Sequence, residues 1–130
     1  MKKDIETRED IELLVNNFYE KVKRDDLIGF IFTDVRKVNW DKHLPVMYRF
    51  WENVLFFSGG YTGNPLEMHK KLHGHIFLKK EYFQRWIDLF NDTADELFEG
   101  PNSVNIKQRA FGISAIMQTK IFQKDDPGGI

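Results

Sequence analysis

Apolar residues recur every three or four positions through four long stretches of this chain, and nowhere do apolar and polar residues alternate over a comparable length. A period near 3.6 gathers side chains on one face of a helix, whereas a half-buried strand needs a period of two. The pattern therefore predicts an all-α fold of four main helices with short ones between them. The first stripe is Ile11, Leu14, Val15, Phe18, Tyr19 and Val22. Thr7 is placed to cap its helix, with Glu9 and Asp10 in the first turn, where the helix dipole favours negative charge. Asp25-Asp26 ends it, and a short segment from Leu27 to Phe32 follows, loosened by Gly29.

The second stripe runs through Leu44, Met47, Tyr48, Trp51, Val54 and Leu55. Asn39 or Asp41 can cap it, which puts Pro45 in or near the first turn, because a proline deeper in a helix costs about 3 kcal/mol. Ser58-Gly59-Gly60 stops this helix. After a loop from Tyr61 to Asn64, Pro65 opens a short helix with Glu67, Met68, His69 and Leu72, which ends at Gly74. The third stripe is Phe83, Trp86, Ile87, Phe90, Ala94, Leu97 and Phe98, broken by Gly100-Pro101. The fourth is Ile106, Ala110, Ile113, Met117 and Ile121, with Asn102 or Ser103 as its cap. One domain over residues 1–123 is expected, with 124–130 as a disordered tail.

Composition removes several classes of function. The chain has 130 residues, a net charge of −1 and no cysteine. Lysine and arginine are spread along it, so it lacks the basic footprint of a nucleic-acid binder. Disulfides, thiolate catalysis and cysteine-ligated metal centres are excluded. Met1 to Glu6 is charged rather than apolar, so no secretory signal is expected. No apolar run approaches the ~20 residues of a membrane span. The expectation is a cytoplasmic protein with no membrane partner.

Aromatic residues make up 15% of the chain, 12 of them Phe. All four histidines, His43, His69, His73 and His75, fall within one 33-residue window, from the head of the second stripe to the segment before the third. Histidine beside so much flat apolar surface suits a metal-bearing aromatic cofactor. A haem iron needs a single neutral imidazole as axial ligand, so His69 on its short helix qualifies; a surface histidine would look the same. His43 heads the face that carries Met47, Phe50 and Trp51, at helical offsets of four, seven and eight. It can reach a ligand at a cavity mouth or stand in solvent. Tyr19 and Trp86 sit in apolar stripes, where a hydroxyl or indole N–H needs a partner, either a cavity ligand or a carbonyl. His69-x-x-x-His73 can also hold zinc, although Gly74 unwinds the backbone before His75 and no metalloprotease carboxylate is present.

Four pieces in order resemble the truncated haemoglobins, most closely their third group. They are Phe18-Tyr19-Glu20-Lys21-Val22; Trp40-Asp41-Lys42-His43-Leu44-Pro45 followed by Phe50-Trp51; Tyr61-Thr62-Gly63-Asn64-Pro65-Leu66 leading to His69; and Phe83-Gln84-Arg85-Trp86-Ile87-Asp88-Leu89-Phe90. Order and spacing agree from about Ile11 to Ile121. The resemblance implies a globin-like, two-over-two helical sandwich around one haem b. It implies His69 as the proximal iron ligand, Tyr19 and Trp86 as distal hydrogen-bond donors, and His43 at the distal gate. It places Phe32 against the porphyrin, and Met47, Phe50, Trp51 and Phe83 around the pocket. His73 and His75 have no fixed role in it.

On this reading a five-coordinate iron binds O2, NO and CO. Two preorganised donors stabilise the negative charge that bound O2 acquires, which slows its release. The expectation is redox chemistry on O2, NO or peroxide, of a dioxygenase-like or peroxidase-like kind and fed by an unidentified reductase, rather than bulk oxygen transport. The competing reading is a cofactor-free helical interaction module, with the aromatics as core and the histidines outside.

Overall fold

Thr7 starts the first helix with a reciprocal pair of bonds. Its hydroxyl oxygen accepts the Asp10 N–H at 3.3 Å, and the Asp10 carboxylate accepts the Thr7 N–H at 3.1 Å. This capping box satisfies amides that the helix itself leaves open. The result is α1, Arg8–Arg24, whose buried face carries Ile11, Leu14, Val15, Phe18, Tyr19 and Val22 as the periodicity requires. The structure, a computed structural model, describes residues 2–35, 39–57 and 79–125.

Asp25 closes α1 and turns the chain. Gly29 acts there differently from the expectation. A Cβ at this position would stand 2.8 Å from the Lys23 carbonyl oxygen and 3.1 Å from that of Val22. Gly29 thus lets the turn lie tightly on the end of α1 instead of loosening it. A π-helical turn, Ile31–Val35, follows and brings Phe32 back toward Tyr19.

The second helix, α2, spans Trp40–Phe56, with Asn39 as N-cap. Pro45 stands in its second turn, close after the first, and the Asp41 carbonyl there has no helical N–H to accept. The helix ends at Phe57, directly before Ser58-Gly59-Gly60, which lie outside the described residues. Phe57 takes the left-handed conformation (φ 57°), and its N–H donates to the Asn53 carbonyl at 2.9 Å. The loop and the short helix expected from Tyr61 to Gly74, with His69, His73 and His75, lie outside the described residues.

The third helix, α3, spans Lys80–Leu97, with Phe83, Ile87, Phe90, Thr93 and Ala94 buried. The fourth, α4, spans Pro101–Asp125 and so includes Lys124 and Asp125, which the sequence assigns to the tail. Its cap also differs from the expectation. The helix already begins at Pro101, and the Gly100 carbonyl accepts the Val104 N–H at 3.0 Å. Asn102 and Ser103 therefore sit inside the first turn, and their amides both donate to the Asp4 carboxylate at 2.9 Å. A residue from the far end of the chain caps this helix. Gly100 (φ +145°) makes room, since a Cβ there would meet the Asp4 side chain at 2.5 Å. Asn102 Nδ2 donating to the Ile5 carbonyl (2.7 Å) and Glu99 N–H donating to that of Lys3 (3.0 Å) complete the clasp.

Burial alone would raise the Asp4 pKa, but the amides of Asn102, Ser103 and Ile5 outweigh it and hold the carboxyl below its ordinary 3.8. A depressed carboxyl stabilises the fold above its unfolded pKa and stops doing so as pH falls through its lower folded value. Asp4→Ala is expected to cost about 0.5–2 kcal/mol at neutral pH, the usual worth of a cap. Urea unfolding of both proteins should show that gap closing in acid below 3.8. A gap of the same size at every pH would show that the carboxylate is not its source.

Packing pairs α1 with α2 and α3 with α4, and joins the pairs through α1 on α3 and α2 on α4. Between the two layers lie Ile11, Leu14, Val15, Phe18, Phe90, Ala94, Ile106 and Ala110, all fully buried, with Trp51 beside them. Each such large apolar side chain contributes roughly 1.5–3 kcal/mol on leaving water. Among the described residues there is no strand, and no helix is long and apolar enough to cross a membrane.

Candidate functional site

Tyr19 lies on the inner face of α1 with 5% of its surface exposed. Burial pushes its phenol well above the ordinary 10, so the hydroxyl keeps its proton and remains a donor. Its ring is enclosed by Phe18 (centroids 4.9 Å apart), Trp40 (5.2 Å), His43 (5.4 Å, edge-on) and Phe32 (6.1 Å). No hydrogen bond from the hydroxyl is formed to any described residue, although a buried tyrosine normally finds a partner.

Trp86 comes from α3 and is half-buried. Its indole stacks on Phe90 (5.6 Å, 17°) and on Trp51 (6.3 Å, 22°), and Phe18 meets it edge-on at 5.3 Å. Its N–H, too, forms no hydrogen bond among the described residues. Phe18 therefore touches both rings, and the two donor-bearing side chains flank one buried phenylalanine.

The third wall is α2. It is rich in apolar residues, yet only Trp51 and Leu55 on it are buried. Leu44, Met47, Phe50 and Val54 remain half-buried against the core. An apolar helix face that its own fold leaves partly covered offers a surface for a further apolar layer. Tyr48 is turned away from that face. Its hydroxyl donates to Asn16 Oδ1, and Arg8 lies over its ring.

The residues expected around a pocket are thus placed in two tiers. Phe32, Met47, Phe50, His43 and Trp86 are half-buried, while Trp51 (2% exposed) and Phe83 (8%) stand behind them in the core. Trp51, expected to line the pocket, lies 4.8 Å from Phe90 and backs the wall. The structure also adds Trp40, which touches Tyr19, Phe32 and His43 at ring distances of 5.2, 6.1 and 5.6 Å. Its spacing of three residues before His43 puts both on one helical face, a signal that was available in the sequence.

Among the described residues no group of three or more His, Cys, Asp or Glu gathers to hold a metal ion. This part of the site offers apolar contact and two neutral donors. Two surface clefts, of about 460 and 290 Å³, lie elsewhere, the first lined by charged residues that include Glu20, Arg24, Asp25 and Arg85. Neither includes Tyr19 or Trp86.

Along 95% of its length the chain is 29% identical to the group 3 truncated hemoglobin ctb of Campylobacter jejuni, 97% of which is covered. Its fold is similar to the crystal structure of a group III truncated hemoglobin from Campylobacter jejuni, with a TM-score of 0.81 over 93% of this chain and 95% of that one, again at 29% identity. No protein-family model matches the chain.

Proposed function

We propose, on the premise that this chain belongs with the group III truncated haemoglobins it matches in sequence and in fold, that it is a haem protein that binds diatomic gases. The observation that carries this reading is the pair of donors, Tyr19 Oη and Trp86 Nε1, without partners among the described residues beside the half-buried face of α2. A flat apolar group needs such a face, and a small ligand with acceptor character needs such donors. The residues present fit haem b. Phe32, Met47 and Phe50 provide apolar contact, Trp51 and Phe83 support them from behind, and His69 is the imidazole assigned to the iron.

Haem b, when bound, supplies an iron with one coordination position open to O2, NO or CO. Tyr19 and Trp86 donate to whatever small ligand occupies the space before them. A hydrogen bond to a group that carries charge is worth about 1.5–3 kcal/mol. A ligand that gathers negative charge is therefore retained, and one that stays neutral gains less. Enclosure of Tyr19 by Trp40, Phe32 and Phe18 keeps water from competing for its hydroxyl. His43, edge-on to Tyr19, stands at the entrance to this space. Retention suits chemistry on O2, NO or peroxide, with electrons from a reductase, better than reversible delivery of oxygen.

The test is titration of the purified chain with haem, followed by absorption. A sharp Soret band saturating at one haem per chain, and shifting when the reduced protein meets CO, is the expected outcome. Without a stoichiometric band the proposal fails, and the chain is a cofactor-free helical interaction module.

A further inference from the structure

Asp25 is the least exposed ionised side chain in any ion pair between described residues, with 2% of its side chain accessible. Each carboxylate oxygen has its own task. Oδ1 accepts Arg85 Nε at 2.7 Å, with Arg85 Nη2 at 2.6 Å, while Oδ2 accepts the N–H groups of Leu27 and Ile28 at 3.0 Å each. Burial would raise its pKa, but Arg85 and the two amides more than offset this and keep the group ionised.

The elements joined here are the ones that build the donor pair. Asp25 ends the helix of Tyr19 and begins the turn that delivers Phe32 onto the Tyr19 ring. Arg85 immediately precedes Trp86 on α3. A guanidinium held through two nitrogens has little freedom to rotate, and its backbone carries Trp86 with it. The other α1–α3 ion pair, Lys21–Glu96 at 2.7 Å, lies a full three turns along α3 and joins more exposed side chains. Exposed pairs of this kind contribute little.

We infer that the Asp25–Arg85 bridge is a positioning device that sets the Trp86 indole across Phe18 from Tyr19. The inference rests on the donor roles proposed above. Arg85 is 46% exposed, so Arg85→Gln is expected to fold. Asp25→Asn, nearly isosteric, is the second variant. In the full chain, with and without haem, the Trp86 indole ¹H–¹⁵N resonance, identified by its loss in Trp86→Phe, is expected to move in both variants and not in Lys21→Gln. With haem, O2 dissociation should rise roughly 3- to 10-fold in Arg85→Gln, less than deleting a donor outright. That increase should disappear in a Trp86→Phe background, because the bridge acts through the indole. An unmoved indole resonance in folded Arg85→Gln and Asp25→Asn overturns the inference, as does an O2 effect that persists without Trp86. Should Tyr19→Phe and Trp86→Phe themselves leave O2 dissociation unchanged, the donor reading fails, and the resonance shift alone decides whether the bridge positions Trp86.

Discussion

Tyr19→Phe is expected to speed O2 release by about 10- to 100-fold, the equivalent of the 1.5–3 kcal/mol that a hydrogen bond to a charged group supplies. The substitution removes one oxygen atom and keeps the ring. Contacts of that ring with Phe18, Trp40, His43 and Phe32 survive, so stability should change little. No described residue loses a bond either, since the hydroxyl has no partner among them. The effect is thus confined to the ligand. Because the phenol is pushed well above its ordinary value, the Tyr19 contribution should not vary with pH across the neutral range. Rapid mixing of the oxygenated protein with CO measures the rate directly. If wild type and variant release O2 equally fast, Tyr19 has no role in holding the ligand.

The second large effect concerns His69. His69→Ala is expected to abolish the sharp Soret band at stoichiometric haem, while His73→Ala and His75→Ala retain it. Losing an outer-shell partner of a metal ligand costs roughly 10- to 100-fold in affinity, and losing the ligand itself should cost more. The contrast among three neighbouring histidines matters more than the single loss. If His73→Ala loses the band and His69→Ala keeps it, the iron ligand has been misassigned. Loss in His69→Ala and His73→Ala together, with zinc rather than haem recovered from the protein, would revive the His-x-x-x-His reading.

The features legible in the sequence were those decided within a few residues. The cap at Thr7 was legible because it involves near neighbours, though the return bond from Asp10 appeared only in the structure, and the buried faces of α1 and α3 follow from a period of 3.6. Tyr19 and Trp86 could be singled out because each places a polar atom in an apolar stripe, and the family resemblance then gave those atoms a shared purpose. The structure does bring Tyr19, His43 and Phe32 into ring contact, and it joins Trp86 to them through Phe18. Depth within the wall was not legible. Trp51 and Phe50 are adjacent and both aromatic, yet only Trp51 meets Phe90 and leaves the surface.

Sequence by itself determined that the chain is helical, where its four apolar faces lie, and which polar atoms those faces would strand. Tertiary structure alone decided how the faces are joined. Asp4 caps a helix that starts almost a hundred residues later, Gly29 is needed because two carbonyls of α1 stand beneath it, and Asp25 meets Arg85 across two helices. The physical reason is that periodicity, and a local cap such as that of Thr7, are satisfied between residues a turn apart. A buried carboxylate, by contrast, can be satisfied by any donor that the packing delivers, whatever its distance along the chain.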